Sequence, residues 1–134
     1  MPDINLSNNH LRALSSTMYL IEKMLGEMEE MILSRKKGNT LLDVDYDLSP
    51  NDEKKILKNI ALFRAEIFHL NEKYMLTKQH IVESHFINSR KTKIWELLHD
   101  SNVKRMNAYG KFPESMVKEY EKDLNTLIDL LDKW

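Results

Sequence analysis

The stretch LRALSSTMYLIEKMLGEMEEMI, residues 11–32, places an apolar side chain alternately every three and every four positions. The residues of this pattern are Leu11, Leu14, Met18, Ile21, Leu25, Met28 and Ile32. An average spacing of about 3.5 residues keeps one stripe of a helix against a neighbouring helix that packs nearly parallel to it. With Leu11 at heptad position a, Met24 and Met31 occupy position g and widen the stripe. The stretch therefore predicts a long helix in a multi-helix bundle, with its methionines on the inner face.

Capping and helix-breaking residues divide the chain into four predicted helices. Ser7 or Asn8 is suited to cap the first helix, and Gly38 is suited to end it. Ser49 followed by Pro50 marks the start of the second helix, because proline fits the first helical position. The predicted helices cover about 7–37, 50–88, 91–109 and 113–134, and the third is expected to kink or split at 100–102.

The second predicted helix has two apolar stripes about 115° apart around its axis. One stripe includes Ile60, Phe63, Ile67, Leu70 and Tyr74, and the other includes Leu57, Ala61, Ala65, Phe68 and Met75. Neighbours on two sides would place this helix at the centre of the bundle. At 1.5 Å per residue the first two helices would be roughly 45 and 55 Å long, which is more than the other two can cover. We therefore expect self-association.

Apolar residues also predict the packed faces of the third and fourth helices. The third is expected to turn Trp95, Leu98, Met106 and Tyr109 inward, and the stripe of the fourth reaches Trp134, which is expected to pack. Three glycines and three prolines are too few for the tight turns of a many-stranded fold. The predicted fold is all-α, an antiparallel bundle of about four near-parallel helices with two long N-terminal helices.

Composition limits the classes of function. A chain of 134 residues with 42% hydrophobic and 31% charged residues fits a single domain over residues 1–134. A net charge of −1 provides no field that attracts nucleic acid or anionic membranes. The sequence has no cysteine, which excludes thiolate chemistry and fits a reducing compartment. Without an apolar run of about 18 residues or a signal peptide, we expect a cytoplasmic protein that spans no membrane.

Two Glu-x-x-His pairs occur, Glu66 with His69 and Glu96 with His99. They resemble the ligand pairs of ferritin-like bundles, and the resemblance implies a di-metal site in which these four residues are ligands. If the chain reverses near Asn88, however, the two pairs lie about 12 Å apart along the bundle axis. We therefore predict no metal and no other cofactor, and keep the metal site as an alternative.

The segment RAEIFH, from Arg64 to His69, resembles the Arg-x4–6-His pattern of HEPN-type ribonucleases, which are small and often dimeric helical bundles. The resemblance implies that Arg64 and His69 face a shared cleft and act on the scissile phosphate of RNA. Ala65 stands where that family usually has a polar residue. A locally basic stretch over residues 88–111 would also suit single-stranded nucleic acid. The structural interpretation is that Arg64 buries its stem and pairs with a glutamate, and we do not expect nucleic acid as a partner.

The leading hypothesis is a non-enzymatic helical bundle that acts through protein–protein contact. Long apolar stripes, eight methionines and a near-neutral charge support this hypothesis, and the sequence contains no recognisable catalytic motif. The chain would then be a homo-oligomer such as a dimer, an adaptor or a chaperone-like binder. The alternatives are a HEPN-like ribonuclease or RNA-associated module, and a metal-binding bundle.

Overall fold

The structure, a computed structural model, describes residues 6–34 and 40–134, and within these ranges it contains helices and turns but no strand. The α-helices are α1 (Asn8–Leu33), α2 (Pro50–Tyr74), α3 (Glu83–His99), α4 (Val103–Met106) and α5 (Val117–Asp132). The predicted all-α fold is therefore confirmed. Contacts divide the chain into two compact units, unit 1 (Met1–Gln79) and unit 2 (His80–Trp134). A single domain and a single four-helix bundle stay predictions.

Capping side chains set the first residues of both long helices. The hydroxyls of Ser7 and Ser49 each accept a hydrogen bond at 3.1 Å from the backbone N–H three residues further on. Pro50 is the first residue of α2, where its missing N–H breaks no helical hydrogen bond. The predicted starts of both helices are confirmed. The predicted end of the first helix falls within residues 35–39, outside the described ranges.

A cluster of aliphatic side chains joins α1 to α2 in unit 1. Leu25 of α1 is buried against Ile60 and Ile67 of α2. The partly buried side chains that pack against this cluster are Met18, Ile21 and Ile56. Leu25 belongs to the predicted heptad stripe, and the two isoleucines belong to the first predicted stripe of the second helix. The two patterns therefore meet in the fold, and burial of their apolar surface stabilises the pair.

Two polar contacts define the antiparallel orientation of α1 and α2. Near the C-terminal end of α1, Glu29 contacts Arg64 of α2. Near the N-terminal end of α1, the buried Ser15 hydroxyl accepts a hydrogen bond at 2.9 Å from the backbone N–H of Thr77, which follows α2. An early residue of α1 thus contacts a late residue of unit 1, so the two long N-terminal helices form an antiparallel pair.

α2 ends at Tyr74, so the prediction of one helix over residues 50–88 is wrong. Met75 adopts a left-handed conformation with φ 53° and ψ 59°, which ends the helix. Glycine or asparagine usually occupies such a position, and neither occurs here. The apolar periodicity of the sequence would continue α2 beyond this point. The hydrogen bond from the Thr77 N–H to Ser15 instead fixes the chain in a non-helical path.

The early end of α2 changes the expected helix lengths. α1 has 26 residues and α2 has 25, so the second helix is shorter than predicted. Both are longer than α3, with 17 residues, and α5, with 16, as expected, and self-association stays a prediction. Three residues of the second predicted stripe, Ala61, Ala65 and Phe68, are exposed on α2. No helix within the described ranges combines the length and apolar character needed to cross a lipid bilayer.

In unit 2, α3 packs against α5. Leu131 of α5 is buried, and the phenol of Tyr120 donates a hydrogen bond to the backbone carbonyl of Ser101. The side chain of Asn102 caps α4 by accepting a hydrogen bond at 2.9 Å from the N–H of Arg105. The predicted break at residues 100–102 is therefore confirmed as a split. The predicted start at residue 91 is wrong, because α3 already begins at residue 83.

Several aromatic side chains of unit 2 were expected to face inward, and they do not. Tyr109 is 88% exposed and Trp134 is 69% exposed, so both predictions are wrong. Trp95 is nearly half exposed, and its ring packs against that of His99 in a tilted arrangement with centroids 4.0 Å apart. The split at residues 100–102 explains the error at Tyr109. The prediction placed Tyr109 on the same helix face as Trp95, and this relation holds only if the helix is unbroken between them. Trp134 lies two residues after Asp132, the last residue of α5, so it is outside the helix whose stripe was expected to include it.

The Ser15 hydrogen bond gives a first prediction for unit 1. Ser15→Ala is expected to lower the free energy of unfolding by about 1 kcal/mol, because the Thr77 N–H loses its acceptor. Amide hydrogen exchange at Thr77 should become faster in the same variant. Ser16 is exposed on the same helix and serves as the control, since Ser16→Ala makes the same chemical change and improves helix propensity. Equal losses in both variants would contradict the role of this bond.

Candidate functional site

An open groove of about 490 Å³ lies in unit 1, between α1, α2 and the segment that follows α2. Tyr19 and Glu22 of α1 and Arg64 and Asn71 of α2 line it with polar groups. Its volume is within the range of about 300–1,000 Å³ that is usual for small-molecule sites. Within residues 6–34 and 40–134, no histidine lines the groove, so it lacks the usual general base beside these polar groups.

Arg64 forms an ion pair with Glu29 across the α1–α2 contact. Its Nη1 atom donates a hydrogen bond of 2.7 Å to Oε2 of Glu29. Both side chains are partly buried, with 39% and 34% of their surfaces exposed. The prediction that Arg64 pairs with a glutamate is confirmed. A pair with this exposure contributes little net stability, about 0–1 kcal/mol, so its main effect is on register.

The two residues of the ribonuclease-like pattern do not share this groove. Arg64 lines it, whereas His69 is exposed and is absent from its lining. Five residues separate the two positions on one helix, so they point about 140° apart. The ribonuclease alternative stays a prediction that the described groove does not support.

The four residues of the proposed metal site lie in two different units. Glu66 and His69 are on α2, and Glu96 and His99 are on α3. Glu96 Oε2 lies 4.0 Å from a lysine ammonium one turn earlier, and the His99 ring packs at a tilt against a tryptophan ring. Among the residues that the structure describes, no three or more His, Asp or Glu side chains cluster as metal ligands would. The expected reversal near Asn88 is wrong, because α3 continues through this residue.

Most cations of the basic stretch 88–111 already have a partner. Three of them lie 3.9–4.0 Å from carboxylates in the exposed pairs Lys93–Glu96, Arg105–Asp100 and Lys111–Glu114. The guanidinium of Arg90 lies 4.7 Å from the ring centroid of Phe86. The ring of Phe112, a candidate for base stacking, packs against Tyr120 with centroids 4.8 Å apart.

The strongest candidate is an exposed apolar surface on unit 1, which we call the methionine face. It consists of Leu20, Met24, Met28 and Met31 of α1 with Phe63 of α2. Each of these side chains has 47–58% of its surface exposed. The prediction that these methionines line the inner face is therefore wrong for Met24, Met28 and Met31. Met18 alone among the methionines of α1 packs against the buried cluster in the described structure.

The methionine face and the groove lie on opposite sides of the α1–α2 pair. Tyr19 of α1 and Phe68 of α2 line the groove. Met24 and Phe63 are each five residues away from these positions, which corresponds to about 140° around the helix. The buried Leu25 and Ile67 lie between the two sides. The methionine face and the groove are thus two separate surfaces of unit 1, and the groove side also exposes the apolar ring of Phe68.

The sequence pointed to Arg64 but not to two other residues of this site. Ser15 lines the groove, and Glu29 pairs with Arg64. Both fall at heptad position e when Leu11 is a, and a polar e column is the signal that could have found them. Comparison of this chain with known proteins gives no match to a family model, to a curated protein or to a solved structure.

Proposed function

We propose that this chain is a non-enzymatic helical protein that acts by binding another protein chain through the methionine face. The observation that carries the proposal is the exposure of five large apolar side chains on one side of unit 1. Contiguous exposed apolar patches mark interaction sites in proteins that are otherwise soluble. We place this activity in the cytoplasm, in accordance with the absence of cysteine.

The chemistry of the surface supports a protein partner. Methionine side chains are flexible and polarisable, so a methionine-rich surface adapts to the shape of a partner helix. The face runs along α1, and its spacing of three to four residues is the one that an amphipathic helix uses to pack against another. The partners that fit are a second copy of the chain, an adaptor's target or a client protein.

The proposal is tested by photo-crosslinking in cells that produce the chain. A photoreactive amino acid replaces Met24 in one variant and Leu62 in the control, positions that are 58% and 60% exposed. We expect position 24 to crosslink to a protein chain and position 62 to give background levels. Equal yields at the two positions, or none at position 24, would contradict the proposal.

The ribonuclease alternative makes a different prediction for the same purified chain. Incubation with structured and single-stranded RNA, without added metal, is expected to leave both substrates intact. Cleavage that disappears in His69→Ala, while the circular dichroism spectrum stays unchanged, would favour the alternative over protein binding.

A further inference from the structure

We propose that the partner at the methionine face is a second copy of this chain, and that the two α1 helices pack antiparallel about a two-fold axis. This inference rests on the proposed function and names its partner. It depends on the order of apolar and charged side chains along α1, all of which lie within unit 1.

The apolar residues of α1 complement themselves when the helix is reversed. Their order along the exposed stripe is Leu20, Met24, Met28 and Met31, with intervals of four, four and three residues. A two-fold axis near position 26 brings Leu20 next to the partner's Met31, and Met24 next to the partner's Met28. Each contact then occurs twice, as an isologous interface requires. Phe63 of α2 extends the apolar surface on the same side.

The charged residues beside this stripe select the antiparallel orientation. Lys23, Glu27 and Glu30 lie on the flank of α1 that faces away from α2 and are exposed. About the same axis, Lys23 lies at a height between the partner's Glu27 and the partner's Glu30. Along the helix axis it is offset by only about 2 Å from each glutamate. In a parallel two-fold arrangement, the charged flanks of the two copies would lie on opposite sides of the interface, and these charges would not meet. Complementary charge therefore favours the antiparallel dimer.

Two hairpins joined in this way make a four-helix arrangement. Each copy contributes its antiparallel α1–α2 pair, and the methionine faces become the shared core. The two grooves then lie on the two outer sides. In this arrangement α2 of the same copy covers one part of the apolar surface of α1. The α1 helix of the other copy covers the rest.

Sedimentation velocity of the full chain between 1 and 100 µM tests the dimer. We expect a species of twice the 15.9 kDa of one chain, with dissociation on dilution. Met24→Glu should weaken the dimer at least about 100-fold, because it places two carboxylates in the apolar interface. Leu62→Glu, a control of matched exposure, should leave it unchanged. A single 15.9 kDa species throughout, or equal weakening in both variants, would overturn the inference.

Charge reversal tests the orientation. Lys23→Glu, and separately Glu27→Lys combined with Glu30→Lys, should each weaken self-association roughly tenfold, since each homodimer then contains two clusters of like charge. An equimolar mixture of the two variants should associate about as tightly as the wild-type chain, because the heterodimer restores both charge contacts. A mixture that associates no more tightly than its components would overturn the antiparallel arrangement. Circular dichroism confirms that each variant is folded.

The outcomes separate this inference from the proposed function. A crosslink from position 24 to a different protein, with a purified chain that stays monomeric, would overturn the dimer and leave protein binding supported. A dimer that dissociates in Met24→Glu supports both.

Discussion

Ile67→Ala is expected to lower the free energy of unfolding of unit 1 by about 2–5 kcal/mol. Ile67 has 5% of its surface exposed and packs in the small cluster that includes Leu25 and Ile60. Because unit 1 has few buried side chains to relax into the space, the substitution removes apolar contacts and leaves a cavity. Denaturant-induced unfolding followed by far-ultraviolet circular dichroism measures the loss.

His69→Ala is the matched control for Ile67→Ala on the same helix. His69 is exposed, so its removal should change the free energy of unfolding by no more than about 0.5 kcal/mol. Equal losses at the two positions would mean that α2 is rotated about its axis. Such a rotation would also restore His69 as a candidate site residue.

Leu131→Ala is expected to destabilise unit 2 by about 2–3 kcal/mol. Leu131 has 5% of its surface exposed and is the sole buried side chain in residues 80–134, all of which the structure describes. The expected loss is at the lower end of the usual range because its neighbours are partly exposed and can collapse into the space. Both tryptophans of the chain, Trp95 and Trp134, lie in unit 2, so tryptophan fluorescence reports its unfolding separately.

Leu130→Ala makes the same chemical change at the adjacent position, where 52% of the side chain is exposed. Its effect should be below about 1 kcal/mol. If the fluorescence transition shifts equally in the two variants, the packed face of α5 is assigned incorrectly.

Local signals predicted where α1 and α2 begin and which residues join them. The predicted N-caps Ser7 and Ser49 are correct, because an N-cap depends on only a few neighbouring residues. The end of α2 could not be predicted in the same way. Met75 has no intrinsic preference for a left-handed conformation. The hydrogen bond that favours it is donated by the Thr77 N–H to the hydroxyl of Ser15, far away in the sequence. Tertiary contacts of this kind override helical periodicity.

The two sides of unit 1 were present in the heptad pattern but were interpreted incorrectly. Position e of α1 carries polar residues such as Glu22 and Glu29, and position g carries Met24 and Met31. The polar column faces the groove side. The apolar column contributes Met24 and Met31 to the methionine face, which also includes Leu20 at position c and Met28 at position d. The prediction of buried methionines required every apolar column to be covered. A pair of helices covers one seam of each member, and an additional apolar column beside it stays exposed unless another chain or element covers it.

The two polar contacts between α1 and α2 close chain loops of different length, which sets an order of folding. Glu29 and Arg64 are 35 residues apart in sequence, whereas Ser15 and Thr77 are 62 apart. Closing the longer loop costs about 0.5 kcal/mol more in chain entropy, so the hairpin should form first near its connecting loop. The Ser15 contact would then form after the folding transition state. Loss of this hydroxyl should mainly speed unfolding and leave the folding rate nearly unchanged.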